Sequence, residues 1–111
     1  MFGWIKKAQI NEQRKLVFQN RHAIPALKAY FESSNARELL PLLDGYEEET
    51  HRVSLLAMEQ GILSPADLKV LFEINGELRK FYMQTSLRFI KAFDENYRPI
   101  LGWKAFYKQD M

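Results

Sequence analysis

The sequence contains no cysteine, which excludes a disulfide-stapled fold, a thiol nucleophile, and zinc or iron–sulfur sites with cysteine ligands. β-Branched residues are scarce as well: three valines, seven isoleucines and two threonines are all it has, whereas strands are normally rich in them. A Gly-rich phosphate loop, a His-Glu-x-x-His motif and a Gly-x-Ser-x-Gly motif are missing. The sequence therefore favours a protein that is neither a β-sheet protein nor an enzyme.

Helix-forming residues dominate instead, since Leu, Ala, Glu, Lys, Arg, Gln and Met fill 59 of the 111 positions. With 47% apolar and 14% aromatic residues, the chain can bury a sizeable core. Its length is that of one domain. We expect a single all-α domain over residues 1–111, folded as a compact bundle of four to six helices.

Capping signals indicate where two of the helices meet. Ser64 followed by Pro65 is a serine cap with proline at the first helical position, so a helix is predicted to start there. Gly61 suits the C-cap of the preceding helix. That helix is predicted to begin at Asp44, because Glu47 follows three residues later as in a capping box.

Two prolines predict breaks in the first half of the chain. Pro25 disfavours helical geometry at the residue before it, so we expect separate helices over about residues 4–21 and 25–33. Pro41 lacks an amide proton, so residues 39–43 are predicted to form a short or kinked helix whose four leucines are core candidates.

From Pro65 the apolar positions keep helical spacing as far as about Asn96. A helix of that length would measure about 48 Å, whereas the size rule gives a globule roughly 34 Å across. We therefore expect this helix either to break near Gly76 or to project and pack against a second copy of the chain.

Charge is unevenly placed along the chain. Residues 1–37 carry seven basic and two acidic side chains, residues 38–77 two and nine, and residues 78–111 seven and three. The simpler interpretation is that the acidic middle segment folds between the basic ends, which lowers the electrostatic repulsion between like charges within the protein. The alternative is a surface of two signs whose acidic and basic faces each contact a partner.

Two patterns suggest narrower sites. Glu48 and His51 have the Glu-x-x-His spacing of metal-binding helices, but a di-metal site needs two such pairs and two further glutamates, so first-turn glutamates that stabilise their own helix are the better explanation. The C-terminal third interleaves basic and aromatic side chains, as single-stranded nucleic-acid binders do, although several of these aromatics have core spacing. We expect no metal and no other cofactor.

The N-terminus raises the question of a membrane. Trp4 and Ile5 precede Lys6 and Lys7, a composition that occurs in interfacial anchors. Packing of this short apolar patch onto the bundle is the simpler explanation. Since the apolar run of a secretory signal is also missing here, we expect a cytoplasmic protein, with membrane binding the weakest of the alternatives.

These observations favour a small non-catalytic protein–protein interaction module, such as an adaptor, an inhibitor or a chaperone-like protein, with self-association as a further alternative. The main alternative from another class is a protein that binds the nucleic-acid backbone through basic and aromatic residues of the N- and C-terminal thirds. The residues expected to contact the partner are Trp4, Glu47, Glu48, Glu49, Arg88, Lys91, Trp103, Phe106 and Tyr107.

Overall fold

All the secondary structure that the computed structural model describes is helical, as predicted; it describes residues 3–86 and Phe89, with side chains from residue 6 onward. Helix α1 spans Gly3–Ser33, helix α2 spans Leu40–Gln60 and helix α3 spans Pro65–Met83, and a one-turn 3-10 helix, Arg37–Leu39, joins α1 to α2. None of these helices combines the length and apolar character needed to cross a membrane. The predicted count of four to six helices is not confirmed, because the described part contains three α-helices and the helical segments predicted after Met83 lie largely outside it.

Helix α1 runs without interruption through Pro25, so the two separate helices predicted there are wrong. Pro25 and Arg21 are both exposed, and water can therefore solvate the Arg21 carbonyl that lacks its helical amide partner. Ile24 and Leu27 are fully buried. Their packing outweighs the local preference against a helix before proline.

Helix α2 begins before the predicted start at Asp44. Pro41 lies in its first turn, where the missing amide proton removes no helical hydrogen bond. The predicted short helix is therefore the beginning of α2. Of its leucines, Leu43 is fully buried, whereas Leu42 is exposed and the prediction that it belongs to the core is wrong.

The boundary between α2 and α3 lies where the sequence predicts it. Gly61 has a φ of +82°, and its amide donates a hydrogen bond to the carbonyl of Ala57 at the end of α2. The hydroxyl of Ser64 accepts a hydrogen bond from the backbone amide of Asp67 (3.2 Å), and Pro65 is the first residue of α3. Both caps are confirmed.

Helix α3 ends at Met83, well before the predicted Asn96, and it passes through Gly76 without a break. Beyond its end, the backbone amide of Ser86 donates a hydrogen bond to the hydroxyl of Tyr30 (3.1 Å), which directs the chain towards α1. The 19 residues of α3 measure about 28 Å. Both expectations for a long helix, a break at Gly76 and a projecting rod, are therefore wrong.

The long element is α1 instead. Its 31 residues measure about 46 Å, close to the 48 Å long axis of the molecule, whose other extents are 29 and 20 Å. Gln13 already lies beside the turn after α2, so residues 6–12 extend past that turn and are exposed apart from the partly buried Ile10. The described part of the chain is therefore elongated, whereas the size rule assumes a sphere.

Amide side chains interrupt the apolar core between α1 and α3. Asn75 donates hydrogen bonds to the side-chain oxygens of Gln19 and Asn20, both at 3.0 Å, and Asn20 donates to the carbonyl of Leu71 at 3.4 Å. All three amide side chains are buried. Because a buried amide without partners is costly, these bonds favour one register between the two helices.

Candidate functional site

A groove follows the seam between α1 and α2, which are antiparallel. At one end the side chain of Gln13 donates a hydrogen bond to the carbonyl of Gly61. At the other end Lys28 forms ion pairs with Asp44 and with Glu47, the latter at 3.6 Å. The hydrogen bond to Asp44 raises the pKa of Lys28. About 22 Å of helix separate Gln13 from Lys28.

The part of the seam near Gln13 is an apolar groove of about 830 Å³. Val17 and Ala57 are partly buried and form its floor. Phe18 on α1 and Met58 on α2 line it with 43% and 80% of their surface exposed. Full burial of an apolar side chain of this size stabilises by roughly 1.5–3 kcal/mol. A contiguous exposed apolar surface is typical of a binding site.

Two arginines border this apolar groove on α1. Arg14 and Arg21 lie two helical turns apart on one face of the helix, with Phe18 between them. Neither arginine forms an ion pair with another residue in the described part of the chain. The ring of Phe18 lies 4.3 Å from the ring of His22. This end of the seam is therefore apolar with a positive rim.

A second pocket, of about 450 Å³, continues the seam towards Lys28. It is lined by Arg21 and Ile24 from α1 and by Glu47, Glu48, Thr50 and His51 from α2. Thr50 is 1% exposed, and its hydroxyl has no hydrogen-bond partner among the described residues. Because Arg21 borders both cavities, we treat them as one α1/α2 groove, positive near Arg14 and negative near Glu47 and Glu48.

The structure separates the three glutamates predicted to contact a partner. Glu47 and Glu48 line the α1/α2 groove. Glu49 instead accepts a hydrogen bond from Arg52 (3.0 Å), which also lies 3.8 Å from Asp67 at the start of α3. The hydrogen bond from Arg52 lowers the pKa of Glu49. The three side chains therefore do not form one acidic face.

The other residues expected to contact a partner fall outside the described part of the chain. They are the side chain of Trp4 together with Arg88, Lys91, Trp103, Phe106 and Tyr107. Their role stays a prediction. Phe89 is described, and its ring packs 4.8 Å from that of Tyr30.

Glu48 and His51 line the same pocket, as their spacing on one helix predicts. Across residues 3–86 and Phe89, no group of three or more potential ligand side chains is placed to hold a metal ion. The pair lies beside Arg21 in the α1/α2 groove.

The residues that shape the apolar end do not stand out in the sequence. Arg14, Phe18 and Arg21 recur at intervals of four and three, which places them on one helix face. That spacing is the available signal and indicates an exposed position, but it does not show that the phenylalanine borders a groove. Met58 carries no signal, because a methionine near the end of an amphipathic helix usually fills a core.

No protein-family model matches this sequence, and no curated protein or solved structure is significantly similar to it. The function is therefore inferred from the α1/α2 groove. Its distinguishing features are an apolar floor, exposed apolar lips and two ends of opposite charge.

Proposed function

We propose that the protein is a non-catalytic interaction module that binds an amphipathic helix of a partner protein in the α1/α2 groove. The observation that carries the proposal is the exposure of Phe18 and Met58 on the two sides of an apolar floor. An amphipathic helix that lays its apolar face into such a groove buries both side chains. A partner helix of about 15 residues would span the distance from Gln13 to Lys28.

The side chains of the groove suit recognition of a protein. Methionine is flexible and polarisable and adapts to different apolar partners, and phenylalanine adds a large rigid contact. Charged residues at the two ends orient the partner and raise the association rate. An adaptor, an inhibitor and a chaperone-like protein would all use the groove in this way.

The proposal is tested with a phage-displayed library of amphipathic helices of about 15 residues, selected on the whole protein. The affinity of each selected helix is then measured for the wild type and for the variants Met58→Asp and Phe18→Asp. Since a central apolar contact typically contributes at least about 2 kcal/mol, each substitution is expected to weaken binding at least about thirtyfold. Because both side chains are already exposed, the variants are expected to keep the helical circular-dichroism spectrum.

Phe72→Asp is the matched control. Phe72 lies on α3, is 47% exposed, and does not line the groove. Binding to this variant is expected to equal that of the wild type. Helices that bind all variants equally, or that depend on Phe72 instead, would refute the groove as the binding site.

Binding to the nucleic-acid backbone is the second candidate function. It is favoured by the rings of Phe18 and His22, which lie 4.3 Å apart in the groove that Arg14 and Arg21 border. Bases can stack on such rings while the arginines contact phosphates. The negative end of the groove opposes a long strand. If this function holds, an oligothymidine probe binds with steep salt dependence, and alanine at both arginines abolishes binding; salt-independent or absent binding excludes it.

A further inference from the structure

The two charged ends of the groove also restrict how a partner helix can lie in it. We infer that the partner helix carries acidic side chains in its first half and basic side chains in its second half, and that it lies parallel to α1. The inference rests on the proposed helix-binding function and adds to it the charge pattern and the direction of the partner.

The positive end calls for acidic side chains. Arg14 and Arg21 lie about 10 Å apart along α1, and both are exposed. Neither forms an ion pair with another residue in the described ranges. Two acidic residues seven positions apart on a bound helix have the same separation and can approach both arginines.

The negative end calls for basic side chains. Glu48 lines the groove and has no ion-pair partner in the described part of the chain. Glu47 lies 3.6 Å from Lys28, but Lys28 also pairs with Asp44. Arg21 lines the same pocket, so Arg21 and Lys28 stand against the three carboxylates of Asp44, Glu47 and Glu48, and this end keeps an excess of one negative charge.

The direction of the partner helix follows from the helix dipole. Acidic residues stabilise the first turns of a helix and basic residues its last turns. A helix that is acidic first therefore starts beside Arg14 and ends beside Glu48, which is the direction of α1 from Gln13 to Lys28. The reverse placement would bring its acidic half against Glu47 and Glu48, and like charges brought together at an interface weaken binding.

The charge pattern is tested by randomising the polar positions of the displayed helices among Glu, Lys and Gln. Among helices whose binding needs Met58, sequencing is expected to show Glu in the first half and Lys in the second. In the variant R14E/R21E/E47K/E48K the two ends of the groove exchange sign. Because the helix dipole still favours acidic residues first, selection on this variant is expected to return the same charge order in helices that lie antiparallel to α1. The exchange K69E/E73K is the matched control, since it inverts an exposed ion pair on α3 and is expected to leave the charge order and the direction unchanged.

The direction is tested by disulfide trapping, for which the chain offers a background without cysteine. Lys7 and Glu32 are exposed on the same face of α1, beyond the two ends of the groove. A selected helix with an N-terminal cysteine is expected to cross-link at least about tenfold faster to Lys7→Cys than to Glu32→Cys, since effective concentration falls steeply with the distance that a linker must span. Moving the cysteine to the C-terminus is expected to reverse the preference.

The outcomes separate the two proposals. Helices that need Met58 but share no charge order, or that show the opposite order or direction, would overturn the inference and leave helix binding intact. If no selected helix needs Met58, the proposed function itself fails. If helices selected on the charge-exchange variant cross-link in the same direction as those selected on the wild type, the charged ends of the groove do not set the direction and the inference is overturned.

Discussion

The buried polar side chains in the described part of the chain differ in whether their hydrogen bonds are made. Asn75 is satisfied by Gln19 and Asn20 across the α1–α3 interface. Thr50 is buried just as deeply, yet its hydroxyl has no partner among the described residues. The amide cluster thus supports the fold, whereas the hydroxyl is destabilising where it lies.

We expect Thr50→Val to raise the free energy of unfolding by about 1 kcal/mol, because valine keeps the shape of threonine and removes the unpaired hydroxyl. Urea denaturation measures the change. Val53→Thr is the matched control: Val53 lies one turn further along α2 and is fully buried, so adding a hydroxyl there is expected to lower stability by about 1–3 kcal/mol. A loss of stability in Thr50→Val would show that the hydroxyl does have a partner.

The end of α2 and the start of α3 are each capped by a single residue. Ser64 caps α3 through its own side chain, and Gly61 closes α2 with a positive φ. An added Cβ would meet nothing within 4 Å at Gly61, and the same holds at Gly76 in the middle of α3. These two glycines therefore differ in backbone conformation and not in available space.

That difference predicts opposite effects of the same substitution. Gly61→Ala is expected to lower the free energy of unfolding by about 1 kcal/mol, because alanine is strained at positive φ. Gly76→Ala is expected to raise it by roughly 0.5–1 kcal/mol, because alanine is the better residue in a helix interior. Thermal unfolding of both variants checks the pair, and a shift of the same sign in both would contradict the assigned conformations.

Helix boundaries could be predicted from the sequence where the residues that set them are close together along the chain. The cap at Ser64 and the turn at Gly61 involve residues close along the chain, and both predictions are confirmed. The continuity of α1 through Pro25 depends on the burial of Ile24 and Leu27 against other elements. Local propensity carries no information on that packing, which is why the break predicted there is wrong.

The candidate site could be predicted less well, and for a related reason. Glu47 and Glu48 stand out as a charged run and do line the groove. Phe18 lies in helical phase with Arg14 and Arg21, which indicates an exposed position, but its place at a groove depends on where α2 lies beside α1. The buried amides escape a search for apolar stripes, although Asn20 lies in helical phase with Leu27 and could be recognised by it.

At the scale of the whole molecule, the fold neutralises part of the charge asymmetry of the sequence. Lys28 from the basic first third pairs with Asp44 and Glu47 from the acidic middle third, as the simpler interpretation of the charge blocks predicts. Arg14 and Glu48 form no ion pair in the described part. Both residues line the α1/α2 groove, which therefore keeps charged groups of both signs without ion-pair partners among the described residues.

We expect size-exclusion chromatography with light scattering to show a monomer of 13.1 kDa at low and at high salt. The long helix after Pro65 that would have required a second copy ends at Met83. A dimer that dissociates in Met58→Asp would instead make a second copy the occupant of the groove. Nucleic acid that co-elutes at low salt alone would favour the second candidate function.

Because α1 extends beyond the turn after α2, the local stability of this helix differs along its length. Amide protons of residues 6–12 are expected to exchange with deuterium within seconds, whereas those around Leu27 exchange only on global unfolding. Ile10 lies at the boundary and lines the groove. A partner helix bound in the groove would slow amide exchange at Ile10 and at its neighbours among residues 6–12. Amide exchange in the first turns of α1 therefore reports whether the groove is occupied.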